Sequence, residues 1–168
     1  LFEVDMDAYE KKLFELKDKY KKDIEVLFGI EFGLLPHLAD RYAAVADAHD
    51  FDFIIGSSHL IPAPWYKKDL DYIQKHGTAP KDMIHGDPYE TEFWEGRTVE
   101  DICEKYFRTI IDNTAAYKNF DTYAHIDYLI RYAPEKNKGY TYKKHADILD
   151  MALKTIINNN LALEVNTA

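Results

Sequence analysis

Residues 51–59, Phe51-Asp52-Phe53-Ile54-Ile55-Gly56-Ser57-Ser58-His59, read as a buried strand that runs into a Gly-Ser-Ser turn and stops on a histidine. Three other apolar runs end in a polar side chain able to hold a metal: Phe28 to Glu31, Thr122 to His125, and Leu161 to Glu164 and Asn166. In α/β folds the carboxyl ends of parallel strands open onto one face, so side chains there converge even when dozens of residues separate them along the chain. Glu31, His59 and His125 are therefore expected to share one site.

The segments between these runs carry helical periodicity. Asp7-Ala8-Tyr9-Glu10 resembles a capping box, and Tyr9, Leu13, Leu16 and Tyr20 follow at helical spacing, which predicts a helix over 7–22. A strand is expected over 24–31. Leu38, Tyr42, Val45 and Ala46 mark a second helix opened by His37 after Pro36. Thr98 with Asp101 caps a third, which places Val99, Ile102, Cys103, Tyr106, Phe107, Ile110 and Ile111 on one stripe. Cys103 thus reads as a small core hydrophobe. A short strand is expected over 121–125, then a helix over 141–157 with Tyr142, Ala146, Leu149, Leu153 and Ile156 on its core face and His145 as a satisfied core histidine. Asn158-Asn159-Asn160 ends it, because Asn tolerates the left-handed cap conformation, and 161–166 is the fourth strand.

Alternating strands and helices predict a parallel sheet with outer helices, either open or part of a barrel, since a closed standard barrel takes about eight strands. The 168 residues, 46% of them hydrophobic, suit one domain, 1–168, with a sizeable core. The long stretch 60–97 lacks sustained periodicity and holds Trp65, Tyr66, Tyr72, Tyr89, Phe93 and Trp94. Leaving the sheet just after His59, it is expected to act as an aromatic lid over the site, and Trp65 and Trp94 also fit a pinning role at the rim.

A net charge of −9 speaks against a nucleic-acid surface, and the lysines of 11–22 alternate with acids as on a solvated helix face. No run approaches the roughly 18 apolar residues of a membrane span, the start lacks signal-peptide features, and one cysteine excludes an internal disulfide framework. A cytoplasmic protein is expected. No phosphate-cradling glycine loop, Gly-x-Ser-x-Gly elbow or Cys-x-x-Cys pair occurs. A carboxylate closing a buried strand needs a cation or strong donors, which favours metal or catalytic work for Glu31 over a structural ion pair; the glycines at 29 and 33 let another group approach it.

Several blocks together resemble the histidinol-phosphatases of the PHP (polymerase and histidinol phosphatase) superfamily. They are Phe53 to His59, Asp87-Pro88-Tyr89 with Phe93 to Thr98, Ala124-His125-Ile126-Asp127-Tyr128-Leu129-Ile130-Arg131-Tyr132, and Leu163-Glu164-Val165-Asn166-Thr167. The resemblance implies a distorted (β/α)7 TIM-like barrel, present here in part, that holds up to three divalent ions (Mn, Fe or Zn). It also implies hydrolysis of a small phosphate monoester, typically L-histidinol phosphate in histidine biosynthesis. Matched position by position, Glu31 is similar to the bridging carboxylate, with metal-binding and catalytic roles, and His59 and His125 to metal ligands. Arg131 matches an arginine near the substrate and is expected to contact phosphate; an ion pair with Asp127 one helical turn earlier is its alternative.

The family's opening His-x-His strand, a further ligand histidine and a closing Asp-x-His strand have no counterpart here. The chain is therefore expected to be the middle of a longer protein, and alone to bind metal poorly and hydrolyse little. A phosphoesterase acting on another phosphate and a non-enzymatic binding module remain the other readings of the same residues.

Overall fold

In the computed structural model, residues 4–62, 75, 85–134 and 140–165 are described. The order is α1 (Met6–Tyr20), β1 (Gly29–Gly33), a 3-10 turn at Pro36–Leu38, α2 (Ala39–Ala48), β2 (Phe53–Ser57), β3 (Ile61–Pro62), β4 (His85–Gly86) and a 3-10 turn at Thr91–Trp94. There follow α3 (Val99–Ala116), β5 (Thr122–Tyr123), α4 (Tyr128–Tyr132), α5 (Tyr142–Asn158) and β6 (Ala162–Leu163).

Four strands form one sheet in the order β1-β2-β5-β6, and every neighbouring pair in it is parallel. Parallel neighbours require a crossover, and α2, α3 and α5 occupy the three connections between them. This is the expected α/β arrangement of parallel strands and helices, with the sheet open at β1 and β6 among the described residues. Strand β2 lies against its neighbours closely: a Cβ at Gly56 would meet the Phe120 ring at 2.9 Å and Leu34 at 3.0 Å, so only glycine fits there without displacement.

α3 does most of the packing. The Thr98 side chain and the Asp101 carboxylate form the anticipated capping box, and Val99, Ile102, Cys103, Tyr106, Phe107 and Ile110 are all buried. Cys103 is fully buried, which pushes its thiol up to about 12 and leaves it a packing residue. Asn113, from the same helix, donates to the Ser58 hydroxyl at 2.7 Å, and Ser58 meets the Tyr123 hydroxyl at 2.5 Å, so a buried polar chain ties α3 to the ends of β2 and β5.

Several boundaries differ from the sequence expectations. α1 starts at Met6 because Asp5, not Asp7, is its cap, with the Asp5 carboxylate accepting from the Ala8 amide at 3.0 Å. β1 runs over 29–33 rather than 24–31: a strand exists only where it has a partner, β2 begins opposite Gly29, and Ile24 and Leu27 are exposed. β5 and β6 shrink to the two residues each that find partners in register.

Tyr142, expected on the core face of α5, is exposed. The helix is kinked at His145 (φ −124°, ψ 16°), which breaks the 3.6-residue phase between Tyr142 and the buried Ile148, Leu149, Ala152 and Ile156. His145 stacks on Tyr140 at 5.9 Å and is partly buried, and its Nε2 has no hydrogen-bond partner among the described residues. Asn160 takes the left-handed conformation (φ 57°) anticipated at that helix end.

The excursion after His59 returns through β3 and β4, which pair antiparallel with Ile61 opposite Gly86. Trp65, Tyr66 and Tyr72 lie outside the described residues, as does Asn166. Phe93 and Trp94 are buried in the main hydrophobic cluster, which pins this end of the excursion, and Trp94 donates its Nε1 hydrogen to the Pro88 carbonyl at 2.8 Å within the same arm.

Candidate metal centre

Side chains alternate across a strand, and β1 uses both faces. Phe32 turns to the helices, where it stacks on Tyr42 at 5.2 Å, so its neighbour Glu31 projects from the opposite face. β2 is parallel to β1 with Gly33 opposite Ser57, which carries His59 just beyond the same edge of the sheet. β5 lies beside β2 with Gly56 opposite Tyr123, which carries His125 there as well.

The three expected residues do meet. Glu31 Oε1 lies 3.5 Å from His59 Nε2 and 3.5 Å from His125 Nε2, and one ligand atom from each residue falls within 4.8 Å of the others. Ligand atoms around a tetrahedral ion with bonds of about 2.0–2.1 Å are separated by roughly 3.4 Å, so the carboxylate and both imidazoles stand near coordinating distance with little movement required. The side chains range from 42% exposed for Glu31 to 12% for His125, so the cluster is open on the carboxylate side.

The electrostatics favour the ligating protonation states. The hydrogen bond with His125 is the main reason the Glu31 carboxyl is held down at about 2, with help from Ser57 and the nearby imidazole charges and against the effect of its own burial. His59 is pushed below the ordinary imidazole range, first by burial and then by His125, with Glu31 and Asp87 opposing. An ionised acid and a neutral ring are the forms that bind cations. Such a donor set of one carboxylate and two imidazoles suits Zn, Fe or Mn rather than a soft-metal site.

Zinc affinity should accordingly fall as pH drops below the ordinary imidazole value of 6.5, because protonating His59 removes the lone pair that binds, while Glu31 stays ionised throughout. Titration calorimetry of the full-length protein from about pH 7.5 down to about pH 4 checks this, with the loss displaced to the acid side of the ordinary imidazole range, and affinity flat across the whole span would rule out imidazole ligation.

Surrounding groups hold the cluster in place. Ser57 Oγ lies 3.4 Å from His59 Nδ1. The Tyr128 ring contacts both histidines, with centroids 4.8 Å from His59 and 5.3 Å from His125. Its hydroxyl donates to Asp87 Oδ1 at 2.8 Å, and burial together with that carboxylate raises the Tyr128 pKa well above the phenolic range, which keeps the donor proton in place. Arg131 stands on α4, the helix that follows His125, and makes the ion pair with Asp127 at 3.6 Å.

Glu164 is the residue whose part at the site the sequence did not disclose. It closes the β6 run just as Glu31, His59 and His125 close theirs, but its carboxylate accepts from the His125 amide at 2.9 Å instead of joining the three-residue cluster. Its signals were the run-end pattern and its place in the block Leu163 to Thr167, neither of which pointed to the backbone of His125. Asp87 and Tyr128 lay in motif blocks without any spacing rule to tie them to the histidines.

Comparison with known proteins places these observations among relatives. The PHP domain profile matches residues 4–168. A protein of Clostridium acetobutylicum described as a probable histidinol-phosphatase is 27% identical over 166 residues, covering 99% of this chain and 54% of its own length. The histidinol-phosphatase of Lactococcus lactis is 24% identical over 166 residues, again with 99% and 54% coverage. The chain thus spans about half the length of these relatives. In fold it is similar to the crystal structure of histidinol phosphate phosphatase from Lactococcus lactis complexed with zinc, L-histidinol and phosphate, with a TM-score of 0.77 at 23% identity over 99% of this chain and 55% of that one. Among the described residues no helix is long and apolar enough to cross a membrane.

Proposed function

Because this chain belongs to the PHP domain family, we propose that it carries metal ligands of a divalent-metal-dependent phosphate monoester hydrolase whose substrate is L-histidinol phosphate. The observation that carries the reading is the meeting of Glu31, His59 and His125 at the carboxyl ends of three adjacent parallel strands. Relatives described as histidinol-phosphatases, and a similar fold crystallised with zinc, L-histidinol and phosphate, support the choice of reaction and substrate. We read residues 1–168 as one domain of this type.

In this reading Glu31, His59 and His125 would hold divalent ions between them. Bound there, such ions would supply Lewis acidity for activating water and for offsetting charge on the phosphoryl group. The chain's own groups do the rest. Arg131 exchanges its exposed ion pair with Asp127 for the nonbridging phosphate oxygens, which its planar fork can grip in pairs. Tyr128 and Ser57 keep the rings of His59 and His125 from turning away. The arm from His85 to Arg97 borders the site, bonded to the tyrosine beside both histidines through Asp87, and shields that side of the cluster from water; most of the rest of the lid expected over 60–97 lies outside the described residues. An acidic chain can serve an anionic substrate because the local field is set by the ions. The buried, unreactive Cys103 fits a cytoplasmic setting.

The test is a panel of phosphate monoesters offered to the full-length protein with added Mn or Zn. Hydrolysis of L-histidinol phosphate well above the other esters, abolished by chelation, is the expected result. Preference for a nucleic-acid end or another small monoester would reassign the substrate, and chelator-insensitive turnover would remove the metal reading.

A further inference from the structure

His125 is held in a backbone conformation that it would not choose alone. Its φ of 24° falls in the left-handed region, which histidine adopts rarely, and such residues persist only where the surroundings over-determine them. The carbonyl side is fixed twice, by the Tyr128 amide at 2.9 Å and the Tyr106 hydroxyl at 3.2 Å. The amide side is fixed by a carboxylate oxygen of Glu164 at 2.9 Å. Glu164 is itself set by the sheet, since its own amide donates to the Tyr123 carbonyl at 2.9 Å in continuation of the β5–β6 pairing.

We propose that Glu164 is the positioning residue for His125: by accepting the amide hydrogen from the neighbouring strand end, it holds the histidine in the left-handed conformation that turns its imidazole toward Glu31. A charged acceptor suits this task, because a hydrogen bond to a carboxylate is stronger than one to a neutral group and can offset backbone strain that a water would not. The side chain therefore works from the sheet, through the main chain of a ligand, without touching the ion. The inference rests on the reading of His125 as a metal ligand, and it extends the site to β6, the fourth strand of the sheet.

The experiment compares E164A and E164Q with the wild type and with H125A in the full-length protein. Selective histidine labelling of the metal-free protein reads the contact between the His125 and Tyr128 rings by NMR, and titration reads zinc affinity. E164A is expected to lose the ring contact and to bind zinc about 10- to 100-fold more weakly, the usual range for partners that orient a ligand. E164Q, whose amide oxygen can still accept the bond, should restore most of both. A fall in melting temperature for E164A with the ring contact and zinc affinity intact would overturn the proposal, as would E164Q behaving like E164A. Unchanged zinc affinity in H125A would instead defeat the reading of His125 as a ligand, while the ring contact in the metal-free protein still decides the role of Glu164.

Discussion

Alanine in place of His59 or His125 is expected to lower phosphatase turnover of the full-length protein by about 1000-fold or more. Each histidine offers its Nε2 to the same Glu31 oxygen at 3.5 Å, so removing either leaves an open coordination position that water fills. The loss should appear in kcat, because the groups that recognise the organic part of the substrate remain. Folding should suffer less than catalysis: His59 keeps a third of its side chain in solvent, and neither ring belongs to the hydrophobic core cluster. Steady-state kinetics beside metal content by mass spectrometry provides the check. Turnover within tenfold of the wild type at either position would defeat the assignment of the cluster as the catalytic metal site.

The second large effect concerns stability. Phe93→Ala should cost about 3–5 kcal/mol, the range for deleting a fully buried aromatic ring. Phe93 has no exposed surface, stands edge-on to Trp94 at 5.1 Å, and has the Arg97 guanidinium over its ring at 5.1 Å. Together with Trp94 it ties the returning arm of the excursion to the core, and that arm delivers Asp87 to Tyr128. The variant should therefore melt roughly 10 °C lower and also loosen the tyrosine beside the two histidines. Urea unfolding measures the first effect and the Tyr128 ring contacts by NMR the second. A cost below about 1 kcal/mol would mean that the arm is held by something other than its aromatic pair.

How much of this was legible in the chain depends on the range of the interaction. The start and the core stripe of the helix Val99–Ala116 were readable, because their signals are local: a Thr-x-x-Asp cap and an apolar stripe at helical period, both of which survive folding unchanged. Helix α5 shows where local reading stops. Its periodicity is real from Ile148 onward, yet the kink at His145 shifts Tyr142 out of phase. Strand limits were less legible still. Ile24 and Leu27 look as strand-like as Ile54 and Ile55, but among the described residues no strand lies opposite them. Arg131 lies between these cases: the spacing to Asp127 foretold their ion pair, while its contact with phosphate remains a proposal.

By itself the sequence determined the class of the fold, a parallel sheet with crossover helices, and the three side chains that would meet. Those follow from periodicity and from where apolar runs end, and both are written in the order of residues. Only the tertiary structure decided that the fourth run-end acid serves the backbone of His125 rather than the cluster, and that Asp87 and Tyr128 stand beside the histidines. The reason is physical. A hydrogen bond between Glu164 and His125 depends on strand register and on a left-handed dihedral, and neither exists until β5 and β6 lie side by side.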